Sequence, residues 1–503
     1  MKKEWGEALE IALAVMDPIS LAGAEIARDT LREKAPLALE IAEVFKKAGK
    51  RLALVGGPVR DAILGRLGND LDFTTDAHPD ETRKILSSKE LSKQIEHVWD
   101  TGARFGTISA RGSGANGESL IEITTYRAES YSEDSRKPSV SYGTSIEEDL
   151  SRRDFTINSM ALELTTDDAE FIDPFQGVID LAKRVIRTPQ SPELSFSDDP
   201  LRMLRAIRFS AQLDFEIAPE VMSALIAMKD RLKIISAERI HDEFVKIVMS
   251  DRPRKGIVAL VESGLAEIFI PEIPLLQLEV DEHHHHKDVY QHSLTVLEQA
   301  IALESRLGGK DLTIRLAALL HDIGKPRTRK LIEGGGVSFH HHEVVGAKMT
   351  RERMRALRFE NHLIKDVSQL VFLHLRFHGY GTGEWSDSAV RRYVRDAEHL
   401  LEHLHVLTRA DCTTRNQRKA EALARSYDSL EARIAKLAEE EELASIRPDL
   451  DGNEIMTILA VKPGPVIGKA YDFLLELRLE HGPLGKERAK AELLTWWQGQ
   501  RNA

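Results

Sequence analysis

The stretch GGPVRDAILGRLGNDLDF, residues 56–73, decides how the front of this chain is read. It follows the apolar run LALV, so Gly56 and Gly57 stand where a strand ends, and Pro58 stands near the first position of a helix. Paired glycines admit unusual backbone angles and a close approach by a ligand, and a helix N-terminus offers unpaired N–H groups to an anion. A plain strand-to-helix turn explains the glycines equally well on their own. The pattern is neither a Walker loop nor GxGxxG, because no Gly-Lys-Ser/Thr follows. The end of the stretch changes the balance. Asp70 and Asp72 are two apart on an expected strand, so both carboxylates face one side, about 6.6–6.8 Å apart.

Two carboxylates on one face repel unless a cation lies with them. Mg²⁺ ions held this way activate an attacking hydroxyl and neutralise a triphosphate leaving group. Glu122, in the strand-like run LIEITTYR, is the candidate third ligand; a charge at a sheet edge is the alternative.

The 503 residues exceed one hydrophobic core, so several domains are expected. Hydrophobic residues make up 42% and charged residues 30%, which fits a globular chain and not a disordered one. The single cysteine, Cys412, leaves no internal disulfide and fits a reducing, cytoplasmic compartment. No apolar run is long enough to span a bilayer, so no membrane partner is expected. A net charge of −12 argues against nonspecific duplex binding by the whole chain, though a local basic face remains compatible with it. Residues 1–30 read as a helical extension. Strand-like runs RLALVGG, DLDFTT and LIEITTYR follow, with helical patterns between them, and everything after about Ile186 reads helical.

With GGPVRDAILG and DLDFTT in place, three further segments follow in order: RRDFTINSMAL, DDPLRMLRAIRFSAQL and ERIHDEFVKIV. Together they resemble the bacterial tRNA nucleotidyltransferase and poly(A) polymerase family over about residues 35–275. The resemblance implies an α/β nucleotidyltransferase head, a mixed sheet with flanking helices, over 31–186. An all-α neck for base recognition and tRNA binding would occupy 187–275, an HD domain 280–430 and a helical, tRNA-binding tail 431–503. It makes Asp70 and Asp72 the catalytic metal ligands and rests the triphosphate near Gly56, Gly57 and Arg60. It gives Arg153, Asp154 and Asn158 the sugar and phosphates of the incoming nucleotide. The alternative for RRDF is a surface salt-bridge cluster.

Asp199 and Arg202 are three apart on an expected helix and would share a face. Cytosine and adenine each present an amino donor beside a ring acceptor, which matches a carboxylate beside a guanidinium. Uracil and guanine present the reverse pattern. The pair therefore suits CTP and ATP, and the resemblance assigns an Asp and an Arg of this helix that role. The family usually carries Glu where this chain has Asp198. A simple i,i+3 salt bridge is the alternative. Arg205 and Arg208 extend the same helix towards phosphates, towards the tRNA end, or into solvent.

Residues 283–415 hold most of the histidines. In LAALLHDIGKP, an apolar helix ends in His321-Asp322, a pair that binds divalent metal when other helices bring more ligands. This segment resembles an HD domain, a metal-dependent phosphohydrolase fold. His292, His321, Asp322 and Asp411 match its core ligands, and His342 and His374 match the extra histidines of two-metal forms. His283–His286 reads as a polar loop. DLDGNEIM fails the EF-hand pattern, with its glycine at position four rather than six, and reads as a turn into a helix.

The expected activity is CCA addition to a tRNA 3′ end from CTP and ATP, with release of pyrophosphate and Mg²⁺ in the head. CC-only, A-only and poly(A) synthesis share these motifs. An HD phosphohydrolase with a weak head is a rival from another class, and a noncatalytic tRNA-binding protein is a third. A (p)ppGpp synthetase/hydrolase would carry its HD domain first, the opposite order.

Overall fold

The computed structural model describes residues 18–102, 106–114, 117–130, 139–142, 145–278, 288–332, 337–379, 385–414, 416–441 and 446–502. The chain divides into two compact units, Met1–Ile268 and Phe269–Ala503. In the first unit LALV forms β1 (Leu52–Val55), buried at every position as a central strand should be. DLDFTT forms β2 (Asp70–Thr75), with Asp70 and Asp72 exposed and Leu71 and Phe73 in the core. The hairpin strands β3 (Ile95–Gly102) and β4 (Thr107–Gly114) come next, then β5 (Gly117–Thr125). A small hairpin, β6 (Arg127–Ser130) with β7 (Ser139–Tyr142), precedes β8 (Ala161–Glu163) and β9 (Glu170–Ile172).

Seven strands make one sheet in the order β3-β4-β5-β2-β1-β8-β9. It is mixed: β2 and β5 run parallel, and the other neighbours are antiparallel. The helical pattern expected between DLDFTT and LIEITTYR is overturned for residues 95–114, which are strands. Their sequences, IEHVWDTG and TISARGSG, are polar and glycine-bearing, and pairing with β5 imposes the strand. Helix Pro18–Lys34 also belongs to this unit and is no detached extension. Gly23 packs so closely on Val178 that a Cβ would meet its Cγ2 at 2.5 Å, and Arg28 Nε donates to the Ala169 carbonyl at 2.9 Å. Residues 1–17 of the expected extension lie outside the described residues, as do His283–His286.

The second unit is helical apart from one small bridge, Lys330–Leu331 with Val337–Ser338. The boundary expected at 430/431 falls inside one continuous helix, Gln417–Glu441. A separate core of Leu450, Ile455, Leu459, Ala470, Leu474, Ala489 and Leu493 gathers the last three helices. The turn read at DLDGNEIM is a capping box: Asp451 accepts from the Asn453 and Glu454 amides, and Glu454 accepts from the Asp451 amide.

Candidate functional site

β2 and β5 run side by side with Asp72 opposite Glu122 and Asp70 opposite Leu120. Parallel register thus puts the carboxylates of Asp72 and Glu122 on one face, with Asp70 two residues along. Ser109, on β4, donates to Glu122 Oε1 at 3.4 Å. The Asp72 carboxyl is raised above the usual carboxylate range. The surrounding protein strips its water, and Glu122 and Asp70 add negative charge, with Arg153 acting against them. The donor set is all hard oxygen and short of positive charge, which fits Mg²⁺.

Gly56 adopts φ +73°, and a Cβ there would stand 2.7 Å from Arg153 Nη1. Glycine is required by both the angle and the approach. The Gly56 amide donates to the Met160 carbonyl at 3.2 Å, so it is already used, and Pro58 sits within the first turn of helix Gly57–Ile63. Arg153 therefore lies close to both the glycine turn and Asp72. Its Nη2 donates to Asp149 Oδ2 at 3.2 Å, and its buried Nε has no hydrogen-bond partner.

Asp154 and Asn158 point inward. Asp154 accepts from Arg205 Nε at 2.8 Å, from Arg205 Nη2 at 2.5 Å and from Asn158 Nδ2 at 2.9 Å. Burial would raise its carboxyl, but Arg205 and Asn158 hold it below the usual range. Arg60 Nη1 donates to Asn158 Oδ1 at 2.6 Å, and Nε and Nη2 of Arg60 donate to Asp61. These residues form one chain, Arg205–Asp154–Asn158–Arg60–Asp61, which fixes the floor beneath the turn. Arg208 is also committed inside the fold, donating to Glu243 Oε1 at 3.0 Å. It does not extend towards solvent as its helical spacing implied.

A cavity of about 740 Å³ opens beside the carboxylates. Thr124, two residues after Glu122 on β5, lines it with Arg152, Arg153, Asp198, Asp199 and Arg202. The expectation that Asp199 and Arg202 share a helical face is corrected here. Helix Pro192–Asp198 ends before Asp199, which is extended (φ −139°, ψ 101°), and the next helix begins at Arg202. The two do not pair with each other. Asp199 Oδ2 accepts from Arg239 Nη2 at 2.9 Å, and Arg202 Nη1 donates to Ser195 Oγ at 3.0 Å. Arg202 Nη2 donates to the Arg152 carbonyl at 2.5 Å. Both side chains are thus braced separately and reach the same cavity. Sequence reading missed Glu148, Asp149 and Arg152 on its wall, although the four-residue spacing of Asp149 and Arg153 is that of a helical ion pair.

In the second unit five segments converge. His292 lies on helix Val289–Ala302, His321 and Asp322 follow helix Leu312–Leu320, and His342 opens helix His342–Ala356. His374 closes helix Asn361–Leu373, and Asp411 ends helix Leu401–Asp411. Gly324 lets the HD turn press on its neighbour, since a Cβ would stand 2.1 Å from the His342 carbonyl oxygen. His292, His321 and Asp411 form one group, and Asp322, His342 and His374 another, with each group's ligand atoms within 4.8 Å of one another. Nδ1 of His321, His342 and His374 faces a backbone carbonyl at 2.9, 2.9 and 2.7 Å, and Nδ1 of His292 faces Thr413 Oγ1 at 3.1 Å. That arrangement leaves every Nε2 aimed into the centre, as metal ligation requires. His321 is raised to about 9: burial opposes this, but Asp322 and Asp411 prevail. His374 is pushed down to about 3 by burial and by the charge on His321. The residues fit a pair of divalent ions.

In the tail, Arg478 is buried, and Lys486 pairs with Glu454, so neither stands on a solvated face.

Comparison with known proteins adds the family. Residues 52–187 match the Poly A polymerase head domain, and 214–276 match the probable RNA and SrmB-binding site of polymerase A. Residues 289–442 match the HD domain. The CCA-adding enzyme of Streptococcus suis is 41% identical over 237 residues, 47% of this chain and 55% of that protein, so the chain spans about half the length of the curated relatives of this kind that it matches. The A-adding tRNA nucleotidyltransferase of Deinococcus radiodurans is 31% identical over 451 residues, 88% of this chain and 95% of that protein. The crystal structure of the Bacillus stearothermophilus CCA-adding enzyme in complex with CTP matches with a TM-score of 0.67 at 22% identity, covering 97% of this chain and 100% of that one. At that identity the likeness establishes the fold. The head and HD families are both metal-dependent. On the near-full-length match, this chain belongs to the tRNA nucleotidyltransferase and poly(A) polymerase family.

Proposed function

We propose that this protein is a template-independent tRNA nucleotidyltransferase that adds CCA to tRNA 3′ ends from CTP and ATP, in a reducing cytoplasmic compartment. The observation that carries the reading is the junction of Asp70, Asp72 and Glu122 with a cavity walled by Asp199 and Arg202. Mg²⁺ held by the three carboxylates would supply charge neutralisation for in-line phosphoryl transfer. Arg153, beside Gly56, is positioned to hold triphosphate oxygens. Gly57 closes the turn, and Arg60, Asp154, Asn158 and Arg205 keep that turn in place. Asp199 accepts from the base's amino group while Arg202 donates to its ring nitrogen, which favours C and A over U and G. No side-chain nucleophile is required.

A second reading is A-addition alone, favoured by the near-full-length relative named for that activity. Hydrolysis of phosphate esters at the histidine centre is a separable further activity, supported by the convergence of six ligands. The test is incubation with a tRNA lacking CCA and with one ending in CC, together with Mg²⁺ and labelled CTP or ATP. Growth by three nucleotides and then arrest supports CCA addition. Growth only on the CC-ended tRNA replaces it with A-addition, and no incorporation on either refutes the transferase.

A further inference from the structure

Lys325 follows Asp322 by three residues, and its ammonium lies inside the histidine centre. The residue is 8% exposed, with Nζ 2.9 Å from Asp322 Oδ2 and 5.7 Å from the centre of the Phe339 ring. The same Oδ2 is 3.1 Å from His321 Nε2 and 3.6 Å from His292 Nε2. Oδ1 faces the other way, 3.2 Å from His342 Nε2 and 3.9 Å from His374 Nε2. The two oxygens of Asp322 therefore look into different ligand groups, and the lysine sits on only one of them.

We propose that Lys325 makes the two divalent-metal positions unequal: the ion among His292, His321 and Asp411 is held more weakly than the ion among Asp322, His342 and His374. The inference rests on the metal reading of this centre. An ammonium is a donor only and coordinates no metal. It competes for the Asp322 oxygen that the first position would share, and it repels a dication placed there in a poorly screened interior. Departure to solvent is disfavoured, because a buried carboxylate would lose its only cationic side chain that is not itself a candidate metal ligand. The backbone shortens its reach as well: the Lys325 amide donates to the Asp322 carbonyl at 3.0 Å, tying the lysine to the HD turn. The centre is thus built to take one ion readily and a second at higher concentration.

The test is titration of the metal-stripped full-length protein with Mn²⁺, followed by electron paramagnetic resonance and calorimetry. Two classes of bound Mn²⁺ separated by about tenfold or more are expected in the unaltered chain. Lys325→Met keeps the length and removes the charge, and it should tighten the weak class until the two converge. Lys325→Arg keeps the charge and should preserve the gap, which also reports on folding. His292→Ala should delete the weak class and His374→Ala the tight one. Equal affinities in the unaltered chain, or a gap unchanged by Lys325→Met, overturn the proposal. No Mn²⁺ bound to any form would refute the metal centre itself, a different failure from loss of the inequality.

Discussion

The head and the histidine centre gather acidic and basic ligands in opposite ways. In the head, three carboxylates lie along two adjacent strands, facing a cavity, and the two groups of ligands within 4.8 Å among the described residues both lie in the second unit. There, six ligands from five segments are packed together, mostly buried, with each histidine's second nitrogen already engaged. An open row of carboxylates on a rigid sheet suits a site whose coordination is completed by a substrate's own phosphates. A closed cluster suits ions resident in the fold. The geometry of a metal site thus reflects what must enter and leave it.

The largest expected effect tests whether these sites are independent. Asp70→Asn should lower nucleotide incorporation by about a thousandfold or more, since the metal's share of transition-state charge stabilisation amounts to several kcal/mol. Mn²⁺ uptake by the second unit, read by paramagnetic resonance, should not change; loss of both would break the comparison. The frame beneath the head site comes next. Asp154→Asn removes the partner of Arg205 and should cost about 3 kcal/mol in urea unfolding at pH 7. The Asp154 carboxyl titrates below its ordinary 3.8 in the folded chain, so its stabilisation is complete above that value and is lost as pH falls through the lower folded one. The gap between wild type and Asp154→Asn should therefore shrink in acid, and a gap of constant size would refute the pair. Arg202→Ala should relax selection of CTP and ATP over UTP and GTP by about 10- to 100-fold in competition assays. Arg239→Gln loosens Asp199 through a half-exposed pair worth at most about 1 kcal/mol, so selectivity should fall by only a few-fold. A larger loss there than at Arg202 would reverse the order of importance within the cavity.

Much of the head was legible because its signals are local. The alternation in DLDFTT puts two aspartates on one face whatever surrounds them, and LALV admits little but a buried strand. Glu122 was readable as a neighbour of Asp72 only by supposing that its strand pairs with β2, and the register places them opposite each other. The hairpin β3–β4 was missed because its residues carry no strong strand pattern and take their conformation from β5. Helical spacing from Asp198 onward misjudged Asp199, because the helix breaks at Asp199-Pro200 and restarts at Arg202. Proline disfavours helical angles in the residue before it, a signal present in the chain all along.

The amino-acid sequence by itself determined which chemistry this protein carries: paired carboxylates at strand spacing, a glycine turn ahead of a helix, and the His-Asp step with its distant partners. These follow from periodicity and side-chain type, which act over a few residues. Only the tertiary structure decided how that chemistry is deployed. It turned Asp154 and Arg208 inward, braced Asp199 against Arg239, and drew Asp411 to within 2.9 Å of His292 across 119 intervening positions of chain. Such choices depend on which buried charges find partners, and partners far apart in sequence meet only when the core has packed.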